Sequence, residues 1–360
     1  MSTEIFIKDG STFIASKIEE AIQNGTRTAT VSGCYEIETE IRLPSDFTLI
    51  LENAHLRMAD GVFSNMFINE HCCTEIGKTT EGTDRNINVI GRGKAILDGG
   101  KYNGLSERTQ LKNGLPPVWK NNLVLFTNVD GFKISNLSCH NQRWWALDFI
   151  YCTDGYIGNI DFKANDIMID ADGNEHHGLT RTLGRDVLVK NADGIDLRQG
   201  CHDIIIENIT GFTEDDSIAL TALDGGLEKR FAVSGLVPDL CNVTIRNICT
   251  ASFCTNVRLL SQGDVRLHDI LIDGVTDTSD TSPYMDVGLY AVRIGDTRMY
   301  GTRHATEDET YNVTIKNVIG KGQYAVALAG AMKNVVMDNI KTCGSTKILL
   351  DEREKSGTEN

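Results

Sequence analysis

The sequence predicts an all-β solenoid: a single-stranded right-handed parallel β-helix with a short N-terminal capping helix. Three observations point there. A strand-plus-asparagine pattern recurs at a near-constant step, the chain has short β-rich runs in place of a leucine-and-helix repeat, and two insertions interrupt the period.

At the N-terminus, Phe13, Ile14, Ile18, Ala21 and Ile22 have helical spacing over Thr12 to Asn24, ending at Gly25. This helix would cover the apolar end of the stack. From Thr28 the pattern becomes strand-like, with short runs at 30–31, 35–37, 41–43, 48–51 and 55–58 separated by turn residues. Phe-Lys-Ile-Ser-Asn-Leu at 132–137 is echoed at 204–209, 243–248, 265–270, 313–318 and 335–340, each run placing Asn or Asp fifth. The steps 247 to 269 and 317 to 339 are both 22, 136 to 159 is 23, and 159 to 208 and 269 to 317 read as about two periods. Asparagines in register would form a ladder at a bend, a structural role. The expected organisation is one domain over residues 1–360: a cap at 1–27, coils over about 28–345 and a tail at 346–360.

Insertions at Ile169 to Asp186 and Leu223 to Asp239 break the period. In solenoids such insertions gather on one face and build binding sites. The first contains Asp170-Ala171-Asp172-Gly173-Asn174, which lacks the full spacing of a helix-loop-helix calcium loop, so a polar loop is expected and no metal site.

The chain has 35 basic and 50 acidic residues, a formal net charge of -15. A basic footprint for nucleic acid or an anionic membrane is missing. No window approaches the length of an apolar membrane span, and Met1 to Lys8 carries no secretory pattern, so a cytoplasmic setting is expected. The ten cysteines include no C-x-x-C pair and read as small buried residues, with neither disulfide framework nor zinc site. No cofactor is expected, and the oligomeric state is not determined by the sequence.

Chemistry is concentrated in two acidic clusters, Asp193 and Asp215-Asp216, one such step apart from 193 to 215. If that step is one coil, these carboxyls converge. Like charges held close oppose ionisation, raising at least one carboxyl toward the range of a general acid. A pair of carboxyls flanking a glycosidic bond is the working part of most glycoside hydrolases. The alternative is an Asp-Gly turn beside a solvated strand end.

Asn191-Ala192-Asp193-Gly194 resembles the Asn-Thr-Asp-Gly motif of glycoside hydrolase family 28, the polygalacturonase family of right-handed β-helices. Glu214-Asp215-Asp216-Ser217-Ile218-Ala219-Leu220 resembles its Gly/Gln-Asp-Asp-Cys-Ile-Ala-Ile motif. Ile87 to Gly93 with Ile96-Leu97-Asp98-Gly99 is similar to its early glycine-rich signature, and Gln142 to Leu147 stands in place of its Ser-Pro-x-Trp segment. The resemblance implies that Asp215 protonates the leaving oxygen while Asp193 and Asp216 orient and deprotonate water, with inversion. Glu214 departs from the motif and has no assigned role. By the same resemblance, Asn191, Asn256 and Arg293 would bind substrate. Asn256 falls where the family has Gly-His-Gly, and Arg293-Ile294-Gly295 replaces Arg-Ile-Lys, so the pocket has diverged from one made for polyanionic pectin. Arg298 is a substitute cation, and His177, with His176, is a candidate sugar contact. Of Trp144 and Trp145 one should be core and one a platform, and Trp145 is expected among the substrate-binding residues.

The expectation is a hydrolase of oligo- or polysaccharides, exo-acting because the insertions wall off one end of the groove. Two alternatives stay open: a polysaccharide lyase or intramolecular glycosyl transferase, and a non-catalytic carbohydrate-binding or tailspike-like solenoid.

Overall fold

The computed structural model describes residues 4–101, 118–164, 167–169, 172, 174–178, 193–283 and 286–353. The helix Gly10–Gln23 buries Ile14, Ile18 and Ala21 on the first coil, and Phe13 stacks on Tyr35 with centroids 4.9 Å apart. Its chain reversal uses Gly25 at φ 70, a conformation that costs glycine little.

Among the described residues, nineteen strands form one continuous sheet in which each strand pairs in parallel with the equivalent strand of the next coil. Parallel neighbours require a crossover between them, and such crossovers are right-handed in nearly all proteins. The result is a right-handed parallel β-helix. Inward positions stack like on like: Ile204 on Val243, Ile270, Val313 and Val335. The first four are at most 2% exposed, so each coil removes a row of branched apolar side chains from water.

The expected ladders form, and they explain the asparagines. Asn136, Asn159, Asn208 and Asn247 all take φ between 55 and 60 at the corner between two strands. Each side-chain amide donates to the previous coil's Oδ1: Asn159 to Asn136 at 2.8 Å, Asn208 to Asn159 at 3.0 Å, Asn247 to Asn208 at 3.2 Å. Asn tolerates the left-handed region better than other non-glycine residues, and its short amide reaches one coil spacing.

Register corrects several steps read from the sequence. Asn247 does not stack on Asp269: Arg246 pairs with Asp273 and Ile248 with Val275, so Asn247 lies beside Gly274 and the coil there runs from 247 to 274. Asp269 instead belongs to a second turn column, accepting from Asn312 at 2.9 Å. The interval from 159 to 208 is one coil enlarged by an insertion, since Gly158 pairs with Glu207, and the interval beginning at 269 is likewise a single coil. The step from 317 to 339 holds, because Lys316 pairs with Asp338. The stack also runs further than expected: Lys347–Arg353, placed in the tail, pairs in parallel with Tyr324–Gly330.

The second insertion folds back over the outer face of the early coils. Its helix Gly226–Arg230 leads to Phe231 and Val233, which pack with Ile68, Leu125, Ile150 and Tyr151. Outward-facing apolar residues of the groove sheet are thereby covered. Ile167–Ile169 and Glu175–His177, from the first insertion, form a separate antiparallel hairpin. Asp170, Ala171 and Gly173 of its acidic stretch lie outside the described residues.

Candidate active site

The strands Asp193–Arg198, Ile218–Ala222, Thr255–Ser261 and Tyr290–Ile294 are neighbours in one parallel sheet. Alternation turns Ile195, Leu197, Ile218, Leu220, Val257 and Leu259 inward, leaving the residues between them to line the outer face. Register then fixes one outer column, Asp148, Asp196, Ala219, Arg258, Arg293 and Ala327. The acidic clusters lie where the chain enters this face.

Ile195 pairs with Ile218, so the coil runs from 195 to 218 and Asp193 stands level with Asp216. The Asp216 amide donates to Asp193 Oδ1 at 3.1 Å, and the Gly194 amide donates to the Asp216 carbonyl at 2.9 Å. Asp215 sits beside them, and its carbonyl accepts from Thr213 Oγ1 at 2.8 Å and Ser252 Oγ at 2.7 Å, which fixes the turn. Gly194 is required here, because a Cβ would lie 2.4 Å from the Ser217 carbonyl.

Oxygens of Asp215 and Asp216 and the Cys254 sulfur all lie within 4.8 Å of one another. Burial, then the charge of Asp215, push the Asp216 carboxyl up to about 7, with Arg258 opposing. Asp216 is 7% exposed and its Oδ1 has no hydrogen-bond partner. Burial and the same two carboxylates push the Cys254 thiol well up. An aspartate–aspartate–cysteine set has the ligand types of a borderline metal, and its carboxyls are equally suited to proton transfer.

A buried charge network surrounds this centre. Arg198 lies 3.3 Å from Asp148, 3.4 Å from Asp196 and 2.9 Å from Glu228, and its guanidinium covers the Trp145 ring at 3.8 Å. Burial raises Asp148 to about 6 and Asp196 well above its ordinary value, because one guanidinium cannot balance three buried carboxyls. On the other flank Arg258 bonds Asp296 at 2.7 Å and Arg293 reaches the same carboxylate at 3.2 Å. Burial alone would lower Arg258, but the charge of Asp216 holds it above its ordinary value.

Asp193, Asp215, Asp216 and Arg293 are therefore brought to one face. Asn191 lies outside the described residues. Asn256 does not reach the groove: it is 1% exposed, and its amide donates to the Thr250 carbonyl at 2.7 Å. Trp145 pairs with Asp193, yet at 8% exposure with Arg198 over its ring it is a wall residue. Trp144, at 78° to it, is half-buried. These two placements correct the sequence assignment, which could not see which way each side chain turned. Arg298 is exposed beyond the strand, and its amide donates to Asp296 Oδ1 at 2.9 Å. His177 is exposed on the hairpin.

Arg258, Asp196 and Arg198 also belong to this face and lie outside the acidic motifs. The signal was present, since Val257-Arg258-Leu259 one coil before Val292-Arg293-Ile294, and Ile195-Asp196-Leu197-Arg198, put charged residues between inward apolar ones. Glu228 and Cys254 had no such signal, because their proximity depends on the insertion and on the corner between strands.

The chain's segment 75–231 matches the family model described as glycosyl hydrolases family 28. No curated protein sequence matches it significantly. Among solved structures, it is similar to a hyperthermoactive exopolygalacturonase from Thermotoga maritima: 14% identity, 91% of this chain and 88% of that one, TM-score 0.52. It is similar also to an endo-xylogalacturonan hydrolase from Aspergillus tubingensis: 12% identity, 98% and 99% covered, TM-score 0.51. A tailspike protein of E. coli bacteriophage HK620, in complex with a hexasaccharide, shares the fold at 14% identity with 96% and 61% covered, TM-score 0.58. At these identities the structures carry the fold alone. The match over residues 75–231 spans Asp193, Asp215 and Asp216, and the chain as a whole shares the parallel β-helix fold of these structures.

Proposed function

We propose that the protein is a glycoside hydrolase that cleaves oligo- or polysaccharides with inversion, using Asp215 as the acid and Asp193 with Asp216 to activate water. The observation that carries this reading is the Asp216 amide on Asp193 Oδ1 at 3.1 Å, which holds the Asp193 carboxyl beside Asp215 and Asp216 on the outer face of the sheet. Burial and the charge of Asp215 hold the Asp216 carboxyl at about 7, so a proton is present at the site near neutral pH. In this reading Asp215 protonates the leaving oxygen, and Asp193 receives a proton from the water.

The Asp215 and Asp216 oxygens, within 4.8 Å, are closer than the roughly 6.5–9.5 Å between the carboxyls of an inverting pair. Asp193 is therefore assigned as the base that takes the proton from the water, and Asp216, its carboxyl at about 7, helps to hold that water.

Phe231 and Val233 over the early coils support exo action, since they occupy the groove on that side. Arg258 and Arg293 share the one carboxylate of Asp296, so these three residues together carry a single positive charge. That favours a neutral glycan or one with a single acidic sugar at this subsite over a continuous polyanion.

A glycan-binding solenoid without turnover is the second reading, favoured by the burial of Asn256 where the family has a groove histidine. The test is incubation with a panel of neutral and acidic oligosaccharides, the anomer of the first product being read by NMR. An inverted product supports the proposal, a retained one overturns its stereochemistry, and absence of turnover on the whole panel favours the binding module.

A further inference from the structure

Away from the aspartates, a second cluster of reactive groups lies where the insertion meets the early coils. Cys72 and Cys73 are adjacent, with sulfurs 3.6 Å apart. Cys72 is fully buried and Cys73 exposed. The turn that separates them puts Cys73 at φ 60, an unusual conformation for a non-glycine residue, which points its side chain away from the core. Cys73 opens into a cleft of about 400 Å³ whose lining includes Lys78, Lys229, Arg230 and Glu75. Three cations against one carboxylate stand out in a chain of net charge -15.

The contact with the Cys72 thiol, in which either sulfur can be the donor, lowers Cys73 to about 7 against the effect of burial and of Glu40; Arg230 and Lys120 add to the lowering. The thiolate is the reactive form, and cationic surroundings favour it. Lys229, Arg230 and Phe231, the far lip of the cleft, follow Glu228, which bonds Arg198 at 2.9 Å. The cleft therefore adjoins the wall of the groove.

We propose that Cys73 is a thiol-exchange site for small, negatively charged disulfides, which the Lys78, Lys229 and Arg230 rim attracts. The Cys73 thiolate attacks one sulfur of the disulfide, a Cys73–sulfur bond forms, the incoming sulfur–sulfur bond breaks, and the departing thiolate takes a proton from water. Cys73 is oxidised and half of the reagent is reduced. Buried Cys72 stays a thiol and serves as the hydrogen-bond donor. An external thiol reverses the adduct.

The test treats the full-length protein with oxidised glutathione and locates the adduct by peptide mass mapping, with exposed Cys249 and Cys343 as internal controls. The first adduct is expected at Cys73, removable by dithiothreitol and absent in Cys73→Ser. Rates with a dianionic aryl disulfide and with neutral hydroxyethyl disulfide are then compared. Lys229→Glu with Arg230→Glu should lower the anionic-to-neutral rate ratio about tenfold or more. Lys78→Glu gives a second route should that pair not fold, and should lower the ratio in the same direction. First modification at Cys249 or Cys343, or a ratio unchanged by charge reversal in a folded variant, overturns the proposal.

Discussion

Asp193 and Asp216 stand level on adjacent coils, 23 residues apart in the chain and joined by a 3.1 Å hydrogen bond from the Asp216 amide to Asp193 Oδ1. The bond ties the backbone of one catalytic candidate to the side chain of another, so neither moves independently.

Replacing Asp215 by Asn should remove the proton donor while leaving the fold. Turnover of any glycan substrate is expected to fall roughly 10²–10⁴-fold, the usual range for a positioned acid, with the melting temperature little changed. Steady-state rates and a thermal melt check this. Unchanged turnover would end the hydrolase assignment.

The Asp216 carboxyl predicts a pH dependence with a definite sign. Its folded value, about 7, is above its ordinary value of 3.8, so the folded state holds the proton more tightly. The associated stabilisation is full below about 4 and is lost as pH rises through about 7. Asp216→Asn should therefore gain stability relative to the native protein on going from pH 4 to pH 8, read as the difference in melting temperature. A constant difference across that range would contradict the assignment.

Arg198→Met would leave Asp148, Asp196 and Glu228 buried without their cation. Removing one partner of a buried pair costs about 3–5 kcal/mol, and denaturant unfolding should show a loss of that order. Glu228→Gln should cost less and should make the 223–239 segment more sensitive to limited proteolysis, since Glu228 is its ionic tie to the groove.

In the groove, Arg293→Ala is expected to raise KM for a substrate carrying an acidic sugar, with a smaller change for a neutral one. Arg298→Ala, at an exposed position past the strand, should change neither. Equal effects of the two substitutions would remove Arg293 from the binding column.

The ladder offers a test of the fold itself. Asn208 has φ 57 and bridges Asn159 and Asn247. A β-branched residue there should cost roughly 1–2 kcal/mol from the left-handed backbone alone, whereas Gly should be tolerated better. Equilibrium unfolding of Asn208→Val and Asn208→Gly compares them.

What the sequence determined was periodic and local. Strand runs with Asn or Asp at one corner specify a solenoid because each coil repeats the same inward branched residue and the same left-handed turn. The Asp193 and Asp215-Asp216 clusters could be paired because one uninterrupted coil separates them. Tertiary structure decided whatever depended on insertions and side-chain direction. The longer coil between Asn247 and Gly274 shifts register in a way that a repeat of similar strands conceals. Asn256 turns into the corner, and Trp145 turns under Arg198, because strand alternation fails where the chain bends between strands. Arg198 gains Glu228 only because the second insertion folds back on the early coils. Its apolar anchor, Phe231 with Val233, is recognisable only once the outward faces of Ile68, Leu125 and Ile150 exist to receive it.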